Sequence, residues 1–221
     1  MKKTLMLILL LLSFSLANRA QTLSKSQMTG WKAAGLLGEV KSVKYSTKEQ
    51  VFFNTVGNPT KIVSSGGYVE TRAYTTRQPS QHNDRLKITY GKNTRQVQDY
   101  INITEGGDGI NDFFTFDNLG RIIIFEETQR YDTVTEEYEY NSNADKFPSA
   151  MKKSADFLEG SFEETQNYEY LTFDKVGNWT KRKVTKETKY IASDYADTGQ
   201  VDETPSIQTE EYIETATYTY Y

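Results

Sequence analysis

One short phrase occurs three times in this chain: an aromatic residue, Asn or Asp, two further residues, Gly, then Asn or Arg. The copies are Phe53-Asn54-Thr55-Val56-Gly57-Asn58, Phe116-Asp117-Asn118-Leu119-Gly120-Arg121 and Phe173-Asp174-Lys175-Val176-Gly177-Asn178. The Asn or Asp side chain can accept a hydrogen bond from the backbone two residues on, which pre-forms a turn. The glycine takes a positive φ at little steric cost. Residues on both sides of each copy alternate in polarity, so each copy is expected to close a β-hairpin. Asn54, Gly57, Asp117, Gly120, Asp174 and Gly177 are then structural turn residues. Val56, Leu119 and Val176 are expected to fold back on the aromatic before the turn. A weaker fourth copy, Tyr140-Asn141-Ser142-Asn143-Ala144-Asp145, has Ala144 where glycine should stand and is expected to turn differently.

The rest of the chain reads the same way. Val40, Ser42 and Lys44 alternate with Lys41, Val43 and Tyr45. Thr133, Thr135, Glu137 and Glu139 alternate with Val134, Glu136, Tyr138 and Tyr140, and Tyr212, Glu214, Ala216, Tyr218 and Tyr220 share one side of the last segment. The abundance of Tyr, Thr, Phe, Val and Ile agrees with strand propensity. The expected class is all-β, an antiparallel meander of β-hairpins forming a large twisted or rolled sheet. A sandwich or an open barrel are alternatives that periodicity does not separate. Residues 150–158 read as a helical turn, with Met151, Ala155 and Leu158 on one face. The loop 192–205 is acidic, holding Asp194, Asp197, Asp202 and Glu203.

Residues 1–20 have the form of a signal peptide: Lys2 and Lys3, an apolar run from Leu5 to Leu12, then small residues. That run is shorter than the roughly 20 residues needed to span a bilayer, and no other segment is longer, so no integral membrane span is expected. Residues 21–38 read as a linker or short helix, with Trp31, Leu36 and Leu37 free to cap a sheet, and 39–221 as a single all-β domain. Without a single cysteine, the chain has no disulfides, thiolate metal sites or cysteine nucleophile. A net charge of −4, more negative once the leader's basic residues are removed, disfavours nucleic acid as a partner, because phosphate contacts drive such binding.

The repeated phrase resembles the YD repeat of Rhs-like bacterial cell-envelope proteins, in which aromatic-Asp-x-x-Gly-Asn/Arg closes successive hairpins. Phe116 to Ile122 and Phe173 to Trp179 carry the resemblance best; the copy at Phe53 has Asn for Asp and Pro59 after the turn. The resemblance implies long antiparallel sheets and an exported protein, in the periplasm or at the cell surface of a Gram-negative bacterium. It says little about chemistry.

Candidate sites are few. His82 reads as a solvated loop histidine, since nothing near it suggests an activated serine. Gly106-Gly107-Asp108-Gly109-Ile110-Asn111-Asp112 comes close to the glycine-rich calcium nonapeptide of RTX-type repeats, with Asn111 where Asp is wanted. Asp108, Asn111 and Asp112 are therefore candidate Ca²⁺ ligands, against the plainer reading of a glycine-rich hairpin loop. The adjacent carboxylates (Glu126 and Glu127, Glu136 and Glu137, Glu163 and Glu164, Glu210 and Glu211) point to opposite strand faces, so none is a hydrolytic dyad by itself. Sixteen tyrosines combine apolar area with a polar tip, and Tyr168, Tyr170, Tyr218 and Tyr220 are the ligand-binding candidates. No cofactor is implied. The expected function is a non-catalytic binding or assembly module with a glycan or envelope-protein partner, and an edge-strand homodimer is an open option. A secreted glycan hydrolase using scattered Asp and Glu is the alternative.

Overall fold

The computed structural model describes residues 23–24, 27–75, 86–99, 111–129, 132–157, 160–192 and 206–221. A single-turn helix, α1 (Gly30–Ala33), precedes the strands β1 (Val40–Tyr45), β2 (Gln50–Phe53), β3 (Pro59–Val63), β4 (Val69–Thr71) and β5 (Tyr74–Thr75). They are followed by β6 (Leu86–Gly91), β7 (Thr94–Asp99), β8 (Asn111–Phe116), β9 (Ile122–Gln129) and β10 (Asp132–Glu139). The chain finishes with β11 (Ala150–Phe157) and three long strands, β12 (Gly160–Phe173), β13 (Trp179–Ala192) and β14 (Ser206–Tyr220). All belong to one sheet of 14 strands, ordered β4-β3-β2-β1-β14-β13-β12-β11-β10-β9-β8-β7-β6-β5. Pairing is antiparallel except between β5 and β6. The fold is thus the all-β antiparallel meander that the alternation implies. No helix among the described residues is long and apolar enough to cross a membrane.

The two ends of this strand order lie side by side. Only Arg72 and Ala73 separate β4 from β5 in sequence, a step of about 10 Å at most in extended chain. The Arg72 N–H donates to Thr60 O of β3 at 2.9 Å, while Ala73 O accepts from Leu86 N of β6 at 2.6 Å. One extended segment therefore pairs with both edges in turn. The sheet is rolled, although no continuous ladder closes it into a barrel. Side chains cross the same seam: Arg95 Nη2 of β7 donates to Asn58 Oδ1 at 2.9 Å, and the Tyr74 hydroxyl donates to Pro59 O at 2.7 Å.

Register shifts recur where β2, β8 and β12 enter the repeated turns, at Phe52/Phe53, Thr115/Phe116 and Thr172/Phe173. A bulge adds local twist and re-aims the bulged side chain, and here it sends Phe53 and Phe116 into the core. The turns follow the expected chemistry. Asn54 Oδ1 accepts from Val56 N at 3.1 Å and Asn58 N at 2.9 Å. Asp117 Oδ1 accepts from Leu119 N and Arg121 N, both at 2.9 Å, and Asp174 Oδ1 serves Val176 N and Asn178 N in the same way. Gly57, Gly120 and Gly177 have φ of 81°, 75° and 100°. The fold-back of Val56, Leu119 and Val176 is not seen. All three are exposed, because the aromatics they were to cover face into the roll or, for Phe173, pack against a neighbouring loop.

The three turns gather at one end of the roll, and residues 23–24 and 27–38 lie across that end as a plug. Thr29 caps α1, its Oγ1 accepting from Lys32 N at 3.3 Å. Trp31 lies against Gly57, where any Cβ would come within 2.6 Å of the indole, and Trp31 Nε1 donates to Val40 O at 2.7 Å. Asn178, 0 % exposed, accepts from Leu37 N at 2.8 Å and donates to Leu37 O at 2.8 Å. Asn93 Oδ1 takes Leu23 N at 2.8 Å. Around these anchors one cluster joins Trp31, Leu36, Val40, Val43, Phe53, Phe147, Trp179 and Ala216, and a second joins Leu23, Met28, Phe116 and Ile122.

Two local expectations are corrected. Residues 150–157 are strand β11, laddered on one side to β10 and on the other to β12. Buried Met151 and Ala155 are four apart, which fits a period of two as well as a helical face, and flanking strands decide it. In β1 the strict alternation breaks at a shift between Val40 and Ser42, so Val40 and Val43 share the core face.

Asn178→Ala should leave the Leu37 amide and carbonyl buried without partners, at a cost of about 2–4 kcal/mol. A lowered urea midpoint with unchanged m-value is the expected result. Gly30→Ala should be at least as damaging, because its Cβ would fall inside the backbone of Gly57.

Candidate functional site

The inner face of β12, β13 and β14 is aromatic near the plug and charged farther up. Cross-strand register sets Tyr170 beside Arg182 and Tyr168 beside Val184, and Arg182 beside Glu214. The Arg182 guanidinium lies 4.1 Å from the Tyr168 ring centre and 4.3 Å from that of Trp179, while its Nε donates to Glu214 Oε2 at 2.6 Å. Cation–π and charge-assisted bonds hold this side chain in a largely dry setting. They also occupy one face of Tyr168 and one of Trp179, so those two faces are closed to a ligand.

A cleft opens at the plug end. The loop 140–149 between β10 and β11 folds beside the β12–β13 hairpin and leaves a cavity of about 470 Å³. Phe147, Tyr168, Tyr170 and Phe173 supply its aromatic lining; Asn141, Asp145, Lys146 and Ser149 supply polar groups. The loop is tied down at several points. Ser142 N donates to Asp145 Oδ2 at 2.8 Å and Ser142 Oγ to Asp145 Oδ1 at 3.0 Å. Arg121 Nη1 donates to the carbonyls of Ser142 and Asp145, both at 2.9 Å, and the Tyr170 hydroxyl donates to Pro148 O at 2.8 Å. As expected for the weak fourth copy, the turn closes without a positive φ at Ala144, through this Ser142–Asp145 pair. Phe147 is buried, its ring 5.4 Å from Tyr170 and 6.0 Å from Phe173; Phe173 itself is 51 % exposed. Burial pushes the Tyr170 hydroxyl up to about 12 against the opposing pull of Arg182.

Of the tyrosine candidates, Tyr168 and Tyr170 line the cleft and Tyr218 and Tyr220 do not. The latter two pack against the plug cluster, where the Tyr220 hydroxyl donates to Asp174. The aromatics Phe147 and Phe173, with Lys146, were not singled out from sequence. The degenerate turn at Tyr140 was the one signal that the loop departs from the repeat.

The calcium candidates divide. Asp108 lies outside the described residues, as do His82 and the acidic loop 193–205. Asn111 and Asp112 are consecutive in β8 and point to opposite faces. Asn111 Oδ1 accepts from Gln96 Nε2 at 2.7 Å, whereas Asp112 is 4 % exposed on the inner face. Among the described residues, no group of three or more acidic, His or Cys side chains could hold a metal. The adjacent glutamates are mostly spent in cross-strand pairs, such as Glu136 with Lys153 at 3.1 Å and Glu211 with Lys183 at 2.8 Å.

Asp112 sits at the seam with Arg72 3.5 Å away and Glu127 directly across the ladder. Its pKa is raised to about 6, chiefly by burial, with Arg72 opposing and Glu127 adding to the shift. A carboxyl whose folded pKa exceeds its unfolded value stabilises the fold while protonated. That contribution is complete below about pH 4 and is lost as pH rises through about 6. Asp112→Asn should therefore raise the thermal midpoint at pH 7.5, by up to about 3 kcal/mol equivalent. The gain should vanish at pH 4, which paired thermal melts would show.

No protein-family model, no curated protein and no solved structure matches this chain.

Proposed function

We propose that the protein is an exported, non-catalytic module of the bacterial cell envelope that binds a glycan in the cleft between the loop 140–149 and the β12–β13 hairpin. One observation carries this reading: an aromatic wall of Phe147, Tyr170 and Phe173 with Asn141, Lys146 and Ser149 beside it. Sugars offer apolar C–H faces to rings and hydroxyl groups to amides and hydroxyls, so a binding site needs both surfaces together. The volume falls within the ~300–1,000 Å³ common for small-ligand sites. The leader-like residues 1–20 and the YD-like turns support the envelope setting. The outward positions of β12, including Glu163, Asn167 and Glu169, are exposed and polar, which suits water on that face.

A glycan hydrolase is the second reading, and one feature favours it: Asp112, with its raised pKa, faces Glu127 across the ladder. A retaining enzyme needs two carboxyls about 5 Å apart with sugar between them. Asp112 is too deeply buried for that, and the glycan cleft offers only the carboxylate of Asp145, whose two oxygens already accept from Ser142.

Phe173→Ala removes an exposed ring without opening the core. It should weaken glycan binding by about tenfold or more on an array or by calorimetry, while the circular dichroism spectrum stays unchanged. Full binding by the variant, or a blank array for the parent chain, would overturn the assignment. Release of reducing sugar that is abolished by Asp112→Asn would favour the hydrolase.

A further inference from the structure

Resting on that glycan-binding reading, we infer that the ligand is an acidic glycan, whose anionic group meets Lys146. The argument turns on which charges in the cleft are already spent. The two lysines of β11 are matched: Lys152 with Glu139 at 2.6 Å and Lys153 with Glu136 at 3.1 Å. Lys146 is exposed, lines the cleft and has no carboxylate partner among the described residues. What sets this ammonium group apart from other unmatched lysines is its place in the lining of an aromatic cleft.

The carboxylate of Asp145 in the same cleft keeps its charge but is turned away from Lys146 and forms no ion pair with it. Both oxygens of Asp145 accept hydrogen bonds from Ser142, which hold that group within its own turn. The same turn is gripped from behind by Arg121, which donates to the carbonyls of Ser142 and Asp145. Arg121 Nε is paired with Asp117 at 2.7 Å, so this grip positions the loop and leaves Lys146 as its free cation. Exposed Lys175 stands in the turn whose Gly177 also lines the cleft. A uronate, sialate or sulfated sugar stacked on Phe173 would bring its anion to this rim. Near an aromatic wall that excludes water, the pairing is screened less than on open surface.

The test uses the full mature chain and matched probes: galacturonate oligomers against their methyl esters, sialyllactose against lactose, and sulfated against unsulfated chondroitin. The expected result is at least about tenfold preference for one or more acidic forms at low salt, falling at 0.5 M NaCl. Lys146→Gln should bring the ratio of acidic to neutral affinity to about one, whatever it does to the neutral form, and Lys146→Arg should keep the preference, both with the folded spectrum intact. Equal affinity for acidic and neutral partners, or a preference that survives Lys146→Gln, would overturn the acidic assignment and leave glycan binding standing. Binding to none of the probes, nor to any sugar on a broad array, would overturn both. The three pairs separate carboxylate from sulfate as the anion.

Discussion

Docking of the plug residues, 27–38 above all, onto the three repeated turns is the interaction on which the rest of the structure depends. A rolled sheet with an aromatic lining would otherwise be open at one end, and apolar surface in contact with water is costly. The plug removes that exposure by reusing the turns. Their glycines leave room for Trp31 and Gln27 to approach, and the residue after the glycine turns inward to bind. Asn178 grips Leu37 from both sides, and Asn58 receives Arg95 across the seam. Arg121 is diverted to the loop 140–149 instead. One local motif thus sets hairpin geometry, plug docking and the shape of the cleft.

The cleft inherits its order from this arrangement. Phe147 belongs to the same cluster as Trp31 and Trp179, so the rings that line the cavity continue the core that holds the plug. Leu37 and Lys146 both approach Gly177, within 4 Å of where a Cβ would sit. Any ligand that stacks on Phe173 rests on a wall fixed from behind, which lowers the ordering cost of binding.

Much of the strand pattern was legible because alternation is local: the β10 and β14 faces and the Asx-type turns follow directly from neighbouring residues. What stayed hidden depends on distant partners. The bulge between Val40 and Ser42 answers to β14, and nothing near residue 41 announces it. The strand at 150–157 is decided by ladders on both sides, since Met151 and Ala155 satisfy either period. The choice of a roll over a sandwich rests on Arg72 and Ala73 bridging two edges, a fact of three dimensions. Tyr168 and Tyr170 could be named for their chemistry, but Lys146 is brought beside them only by the fold of the loop 140–149, which Arg121 holds from a distant strand turn.

The placement of β1 against β14 carries a consequence for how the molecule comes into being. Val40 pairs with Tyr220 and Tyr45 with Ala216, so β1 finds this neighbour only far downstream in the sequence. Contacts of such sequence separation are slow to form. Until the final strand arrives, β1 remains an unsatisfied edge and the ring that links Asn178, Leu37 and Tyr220 stays broken. An emerging chain of this design cannot lock its amino-terminal half ahead of time, and that delay suits a polypeptide proposed to pass through a membrane before it folds.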